Sequence, residues 1–349
     1  MQFLHWYITP LYLVTLASLV TSAIKQKQSF DKPAFIILSV LWAAGALFRP
    51  WSVTADDINY EGHFANAGRL GEYNAESVGF SYLYYLALAV VRVFDDSFTA
   101  FLLLSACFVL AKMAVVGRAT GYSIASLFLY VSMFFMLHDV VQFRVGAAAF
   151  FYLLAISLLA EKKVLKAAGS YAASIFFHSQ AAVAPLTVVC AKVLKARYWL
   201  AIGVLLVTQV MVYLDLYPQL NSLAVLDIQD WSRLESALSS DEVASGLRLT
   251  SLAVIALIAL AVPPLRRYDE EYPLLRYAFY SVVAGFLIYW ATASISVLSN
   301  RLQQFLWVPV VFMGPLMMRT RPFFFGAIAI GLAFFVLGGW VNQFMSFSS

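Results

Sequence analysis

Apolar runs, most of about 15–22 residues, repeat along almost the whole chain, and most are long enough to cross or nearly cross a bilayer. The pattern predicts helices at roughly 3–24, 33–48, 98–117, 122–137, 144–160, 167–177, 180–194, 198–214, 249–264, 275–292, 303–318 and 323–341. A further run, 80–94, spans only ~22 Å as a helix against a ~30 Å hydrocarbon core. It also carries Arg92 and ends in Asp95 and Asp96. The runs are unbroken, not alternating in the roughly ten-residue segments of an outer-membrane barrel, so helices are the expected spanning form. The expected fold class is all-α: a polytopic membrane protein with 11–13 membrane helices, counting short or re-entrant ones.

Composition agrees, with 62% hydrophobic and 12% charged residues and a mean hydropathy of +0.80. A soluble domain has no interior large enough for that much apolar surface. No basic residue precedes the first run, which therefore reads as a retained helix and not a cleaved signal. Cys107 and Cys190 lie apart in apolar runs and suggest neither a disulfide framework nor a metal site. The net charge of +4 is small, and nothing points to nucleic acid.

The distribution of cations is more informative than their number. Cytoplasmic loops carry an excess of Lys and Arg. If 80–94 does not cross, and 167–177 with 180–194 form a re-entrant pair, 16 of 23 cations fall inside, including all nine lysines, Lys112 among them. The outside face then holds only arginines: Arg49, Arg69, Arg92, Arg144, Arg233, Arg248 and Arg301. A crossing at 80–94 would invert the split to 8 inside and 15 outside. The preferred arrangement is one membrane domain, 1–349, with two long outside loops, 49–97 and 215–247. Loops of that length in a compact protein are usually functional.

Four constellations could carry chemistry. In the first loop stand Asp56-Asp57-Ile58-Asn59-Tyr60 and, further on, Glu76 and Gly79-Phe80. Adjacent carboxylates there can bind a divalent ion, polarise a sugar hydroxyl or simply solvate the loop. Asp57 and Tyr60 share a face if the segment is helical. The second is His138-Asp139-Val140-Val141-Gln142-Phe143-Arg144, where Asp139 would pair with His138 or Arg144. Arg144 either snorkels to the interface or meets an anion, because charge against hydrocarbon is costly without a partner. The third, Phe177-His178-Ser179-Gln180, interrupts the apolar span 167–193 and predicts a break that lines a cavity. His178 there is either a structural, hydrogen-bonded imidazole or a base working near neutral pH. The fourth is Ser299-Asn300-Arg301-Leu302. A planar guanidinium fork suits phosphate better than a lysine point charge, so Arg144 and Arg301 are the candidate ligands of a lipid pyrophosphate. No phosphate-cradling glycine loop, zinc spacing or G-x-S-x-G elbow is present, which counts against ATP-driven transport, metallohydrolase and serine-hydrolase chemistry.

The order of these elements resembles the EpsG-like branch of the Wzy-type bacterial polysaccharide polymerases. The matching features are Asp57-Ile58-Asn59-Tyr60, Glu76 with Gly79-Phe80, Phe143-Arg144-Val145-Gly146-Ala147-Ala148, the basic turn Lys162-Lys163, Phe177-His178-Ser179 and Asn300-Arg301-Leu302, spread over residues 45–320. The resemblance implies a multi-pass inner-membrane glycosyltransferase of the GT-C type with its site facing the periplasm. Such enzymes join oligosaccharide repeat units carried on undecaprenyl pyrophosphate, both donor and acceptor, without metal or cofactor. Membrane lipids and a chain-length regulator protein are the other expected partners. In this reading Arg144 and Arg301 hold the donor pyrophosphate. His178 is the base, with Asp57 as competitor, and the displacement inverts the anomeric carbon. Asp56, Tyr60 and Glu76 position acceptor sugars, with Gln180 and Asn300 as further substrate ligands. His138, Asp139 and Gln142 orient Arg144 or bind sugar. Two alternatives use similar residues: a flippase for lipid-linked oligosaccharide, and a membrane O-acyltransferase acting on surface sugars.

Overall fold

The computed structural model describes residues 7–25, 28–50, 56–68, 81–95, 97–218, 249–268 and 272–333, and no strand occurs among them. With no water in the membrane core, a spanning segment must satisfy its own backbone, and helices do so. The chain is accordingly an all-α polytopic membrane protein. Among the described residues, five helices are long and apolar enough to cross a membrane: Phe30–Leu47, Phe98–Thr120, Ile124–Val141, Phe143–Ala160 and Pro273–Ala291. Shorter apolar helices lie between and around them.

The described residues fall into two compact units, 1–179 with 311–349, and 180–310. In the first unit the helices are α1 (Thr9–Lys25), α2 (Gln28–Leu47), α3 (Asp56–Asn66), α4 (Tyr82–Arg92) and α5 (Phe98–Thr120). They continue with α6 (Ile124–Tyr130), which runs on into Val131–Val141, α7 (Phe143–Ala160) and α8 (Val164–Phe177). The segment Val131–Val141 is wound in wide π turns; at its end the Gln142 N–H reaches back to the Leu137 carbonyl, 2.7 Å away. Such turns recur at functional sites. α5 packs on α2 and α7, α7 on α8, and α4 on α8, α5 and α3. Aromatic rings fill the seam, with Phe108 edge-on to Phe143, Phe150 and Phe177.

The break expected near residue 178 is present. α8 ends at Phe177, His178 is extended, and Ser179–Val183 form a single 3-10 turn. The second unit contains α9 (Leu186–Leu194), α10 (Tyr198–Tyr213), α11 (Leu249–Tyr268), α12 (Pro273–Ala291) and α13 (Ser296–Trp307). α12 is its centre, packed by α13, α9 and α10. There the Tyr280 hydroxyl donates to the Lys195 carbonyl, and its ring stacks on Tyr198 at 5.8 Å. A 3-10 turn (Val308–Met313), α14 (Gly314–Thr320) and α15 (Pro322–Ala333) follow α13. α13 begins seven residues before the helix expected at 303, because its first turns are polar and carry no apolar signal. Most of 215–247, expected as a second outside loop, and Glu76 of the expected first one lie outside the described residues.

Candidate functional site

The first loop delivers a helix to Arg144. In α3 the residues Asp57, Tyr60 and Phe64 are buried while Ile58 and Asn59 are exposed, the spacing of one helical face. Asp57 and Tyr60 therefore do share a face, and Asp56, one residue earlier, is half-buried. The Tyr60 ring stacks on Phe101 of α5 at 5.4 Å and stands edge-on to Phe143 of α7 at 6.3 Å. Its hydroxyl accepts hydrogen bonds from the backbone N–H and the guanidinium of Arg144. Burial pushes the Tyr60 phenol up to about 12, against the pull of the Arg144 charge, so the hydroxyl stays protonated near neutral pH. On another side the Arg144 guanidinium lies 5.6 Å from the centre of the Tyr84 ring, within cation–π range. Two motifs more than eighty residues apart in the chain, Asp57–Tyr60 and Phe143–Arg144, thus form one site.

Asp57 has a second role. Both its oxygens face Arg49, at 2.9 and 2.7 Å, and both side chains are buried. Arg144 differs: among the described residues no carboxylate forms an ion pair with it. Among the described residues, the site holds one neutralised guanidinium and one met by a hydroxyl and a ring face.

Beneath Arg144 lies a cluster that the sequence reading placed differently. Asp139 pairs neither with His138 nor with Arg144. Its carboxylate takes the Lys112 ammonium on one oxygen and the Tyr130 hydroxyl on the other, while Ser105 donates to its backbone carbonyl at 3.2 Å. Lys112, counted from the sequence among cations of the inside face, is fully buried within α5. The charge tally assumes that a cation seeks water, and a carboxylate inside the bundle removes that need. His138 is 1% exposed, and neither ring nitrogen has a hydrogen-bond partner among the described residues. The Gln142 side-chain oxygen is likewise buried without one. Gly146 closes the cluster from α7: a Cβ there would stand 2.2 Å from the His138 carbonyl oxygen. Only glycine lets the two segments approach this closely.

His178 is half-buried at the end of α8, with its N–H bonded to the Ser174 carbonyl at 3.0 Å, and lies within charge-interaction range of His138. Asp57, Tyr60, Arg144, His138, Asp139, Gln142 and His178 all belong to the first unit. Gln180, Asn300 and Arg301 belong to the second. There Gln180 and Asn300 are half-buried and Arg301 is exposed near the start of α13. No group of three or more metal-ligating side chains occurs among the described residues.

The sequence reading missed Arg49 as the partner of Asp57, and also Lys112, Tyr84 and His63. The His63 ring, one turn beyond Tyr60, packs on Tyr84 at 6.0 Å and Tyr85 at 5.7 Å. The run Tyr82-Leu83-Tyr84-Tyr85 was the available signal, since three tyrosines in an apolar helix concentrate polar tips there.

The fold defines a helical integral membrane protein, and a buried polar cluster lies around the start of α7. The EpsG family model matches residues 33–349, and the chain belongs to that family, which points to a polysaccharide-polymerase-like role. No curated protein and no solved structure matches the chain.

Proposed function

We propose that the protein is a glycosyltransferase that joins oligosaccharide repeat units carried on undecaprenyl pyrophosphate into a surface polysaccharide, at the periplasmic face of the bacterial inner membrane. The observation that carries the reading is Arg144: a guanidinium fork cradled by Tyr60 and Tyr84, with no carboxylate partner among the described residues, at the start of α7. An unneutralised fork at a helix N-terminus favours a phosphate. Arg144 and Arg301 are assigned to the donor pyrophosphate, where they stabilise the charge that builds as the carrier leaves. Preorganised charge in a water-poor site is typically the largest catalytic contribution.

The acceptor hydroxyl attacks the anomeric carbon from the side opposite the leaving group. Its proton passes to the His178 imidazole, the new glycosidic bond inverts the carbon, and the pyrophosphate departs with its lipid. Asp57 is the weaker candidate for base, since both its oxygens are occupied by the Arg49 guanidinium. The orphan ring nitrogens of His138 and the Gln142 oxygen suit sugar hydroxyls, because buried polar atoms rarely stay unpaired. Asp56, Tyr60, Glu76, Gln180 and Asn300 complete the substrate contacts in this reading. No step needs a metal or cofactor.

Surface polysaccharide from a strain lacking the protein tests the class of reaction. Loss of polymerisation leaves single repeat units displayed at the surface. Complete loss of surface units would instead indicate a flippase, and full-length chains lacking an ester an O-acyltransferase.

A further inference from the structure

A separate groove lies between α2 and α5, away from the residues assigned above. It is a cavity of about 230 Å³ with apolar walls that include Ile36, Val40, Leu110 and Met113, and it is closed at one end by Arg118 and Tyr122. Both flanking helices are candidate membrane spans, and Ile36, Val40 and Leu110 are exposed along the groove. Its walls therefore face hydrocarbon, and its end reaches the level where α5 stops.

That end is built, not incidental. Gly121 and Tyr122 both have positive φ, 65° and 63°. For a bulky residue such as tyrosine this conformation is strained and needs a compensating contact. The Tyr122 N–H bonds back to the Gly117 carbonyl at 2.7 Å, folding the ring onto α5. A Cβ on Gly117 would lie 2.9 Å from the Tyr122 ring and 3.0 Å from Phe35. Phe35 holds the ring edge-on at 5.8 Å, and the Lys32 ammonium sits over it at 5.1 Å. Lys32 and Arg118 are both exposed, and among the described residues neither has a carboxylate partner. Asp31, next to Lys32, does not line the groove, and its Oδ1 is buried.

We propose that this groove binds an anionic glycerophospholipid, with one acyl chain along the apolar walls and the phosphate between Lys32 and Arg118. The charge complementarity selects the headgroup: two cations beside a tyrosine, without a carboxylate partner among the described residues, attract an anionic lipid over a zwitterionic one. The size selects a chain, since a cavity of about 230 Å³ is too small for a helix about 10–12 Å across.

The test uses the purified full-length protein in micelles holding equal amounts of phosphatidylglycerol and phosphatidylcholine, with bound lipid read by native mass spectrometry. Phosphatidylglycerol should be retained in preference, and the double substitution Lys32→Gln/Arg118→Gln should reduce that preference about 10-fold. A phosphatidylglycerol with a photoreactive acyl chain should crosslink within 36–40 and 110–114. Equal retention of the two lipids, an unchanged preference in the variant, or crosslinks elsewhere would overturn the proposal. So would displacement by undecaprenyl phosphate at lower concentration, which would make this a carrier-lipid site. Should the double variant fail to fold, Arg118→Gln alone is expected to lower the preference, and an unaltered preference there counts against the site.

Discussion

Arg49 and Arg144 both lean on the buried face of α3, and they meet opposite surroundings. Arg49 finds Asp57, with two short contacts and burial on both sides. Arg144 finds the Tyr60 hydroxyl and the Tyr84 ring, one turn along the same helix and across on α4. A carboxylate cancels a guanidinium's charge and occupies its fork. A hydroxyl and a π face orient the fork and leave its charge in place. The first arrangement anchors a loop helix, and the second, in the proposed function, keeps a cation ready for an anion. Two arginines from distant parts of the chain are thus separated in role by three residues of one helix, α3.

The largest expected effect breaks the anchoring half. Removing one partner of a buried pair typically costs about 3–5 kcal/mol, since the other charge stays buried alone. Asp57→Ala should therefore lower thermal stability sharply, while Arg49→Met/Asp57→Leu, which removes both charges, should recover most of it. Turnover of that recovered protein then separates the candidate bases. With His178 as base, the double variant polymerises and His178→Ala loses rate at saturating substrate with little change in KM. A folded but inert double variant beside an active His178→Ala protein transfers the role to Asp57.

Next comes the site half. Arg144→Lys keeps the charge and loses the fork, so it should fail almost as badly as Arg144→Ala, with a roughly 10²–10³-fold loss of turnover. Polymer length on a gel and turnover with lipid-linked units are the measurements. Normal-length polymer from the Arg144→Lys strain would reduce Arg144 to a point charge and remove the contrast with Arg49.

Much of this was legible in the sequence because it depends on local pattern. Apolar runs located most described helices within a few residues, α13 excepted, and the interruption Phe177-His178-Ser179 located the break between α8 and α9. The spacing of Asp57 and Tyr60 foretold their shared face. What could not be read is which charges cancel. Asp139 was matched with its sequence neighbours His138 and Arg144, but its partner is Lys112, 27 residues away on another helix. The same blindness hid Arg49 behind Asp57. Pairing inside a bundle is decided by helix packing and by close approaches such as Gly146 against His138, and neither leaves a mark in a hydropathy pattern. The tally of cations by membrane face inherits the error, since a buried, paired lysine belongs to neither face.

The smallest expected effect sharpens the comparison most finely. If the Tyr84 ring helps hold the fork without neutralising it, Tyr84→Phe should turn over normally, because the ring face survives the loss of the hydroxyl. Tyr84→Leu removes the face but keeps apolar volume, and a cation–π contact is worth about 0.5–1 kcal/mol at partly exposed sites. That corresponds to a roughly 2–5-fold rise in KM for the lipid-linked donor with turnover little changed. The hydroxyl of Tyr84 also lies 3.5 Å from His63 Nδ1, so a loss in Tyr84→Phe as large as in Tyr84→Leu would mean that this contact, and not the ring, is what matters. In that outcome Arg144 is held by Tyr60 alone, and the cradle shrinks to a single hydroxyl on the face of α3 that also carries Asp57.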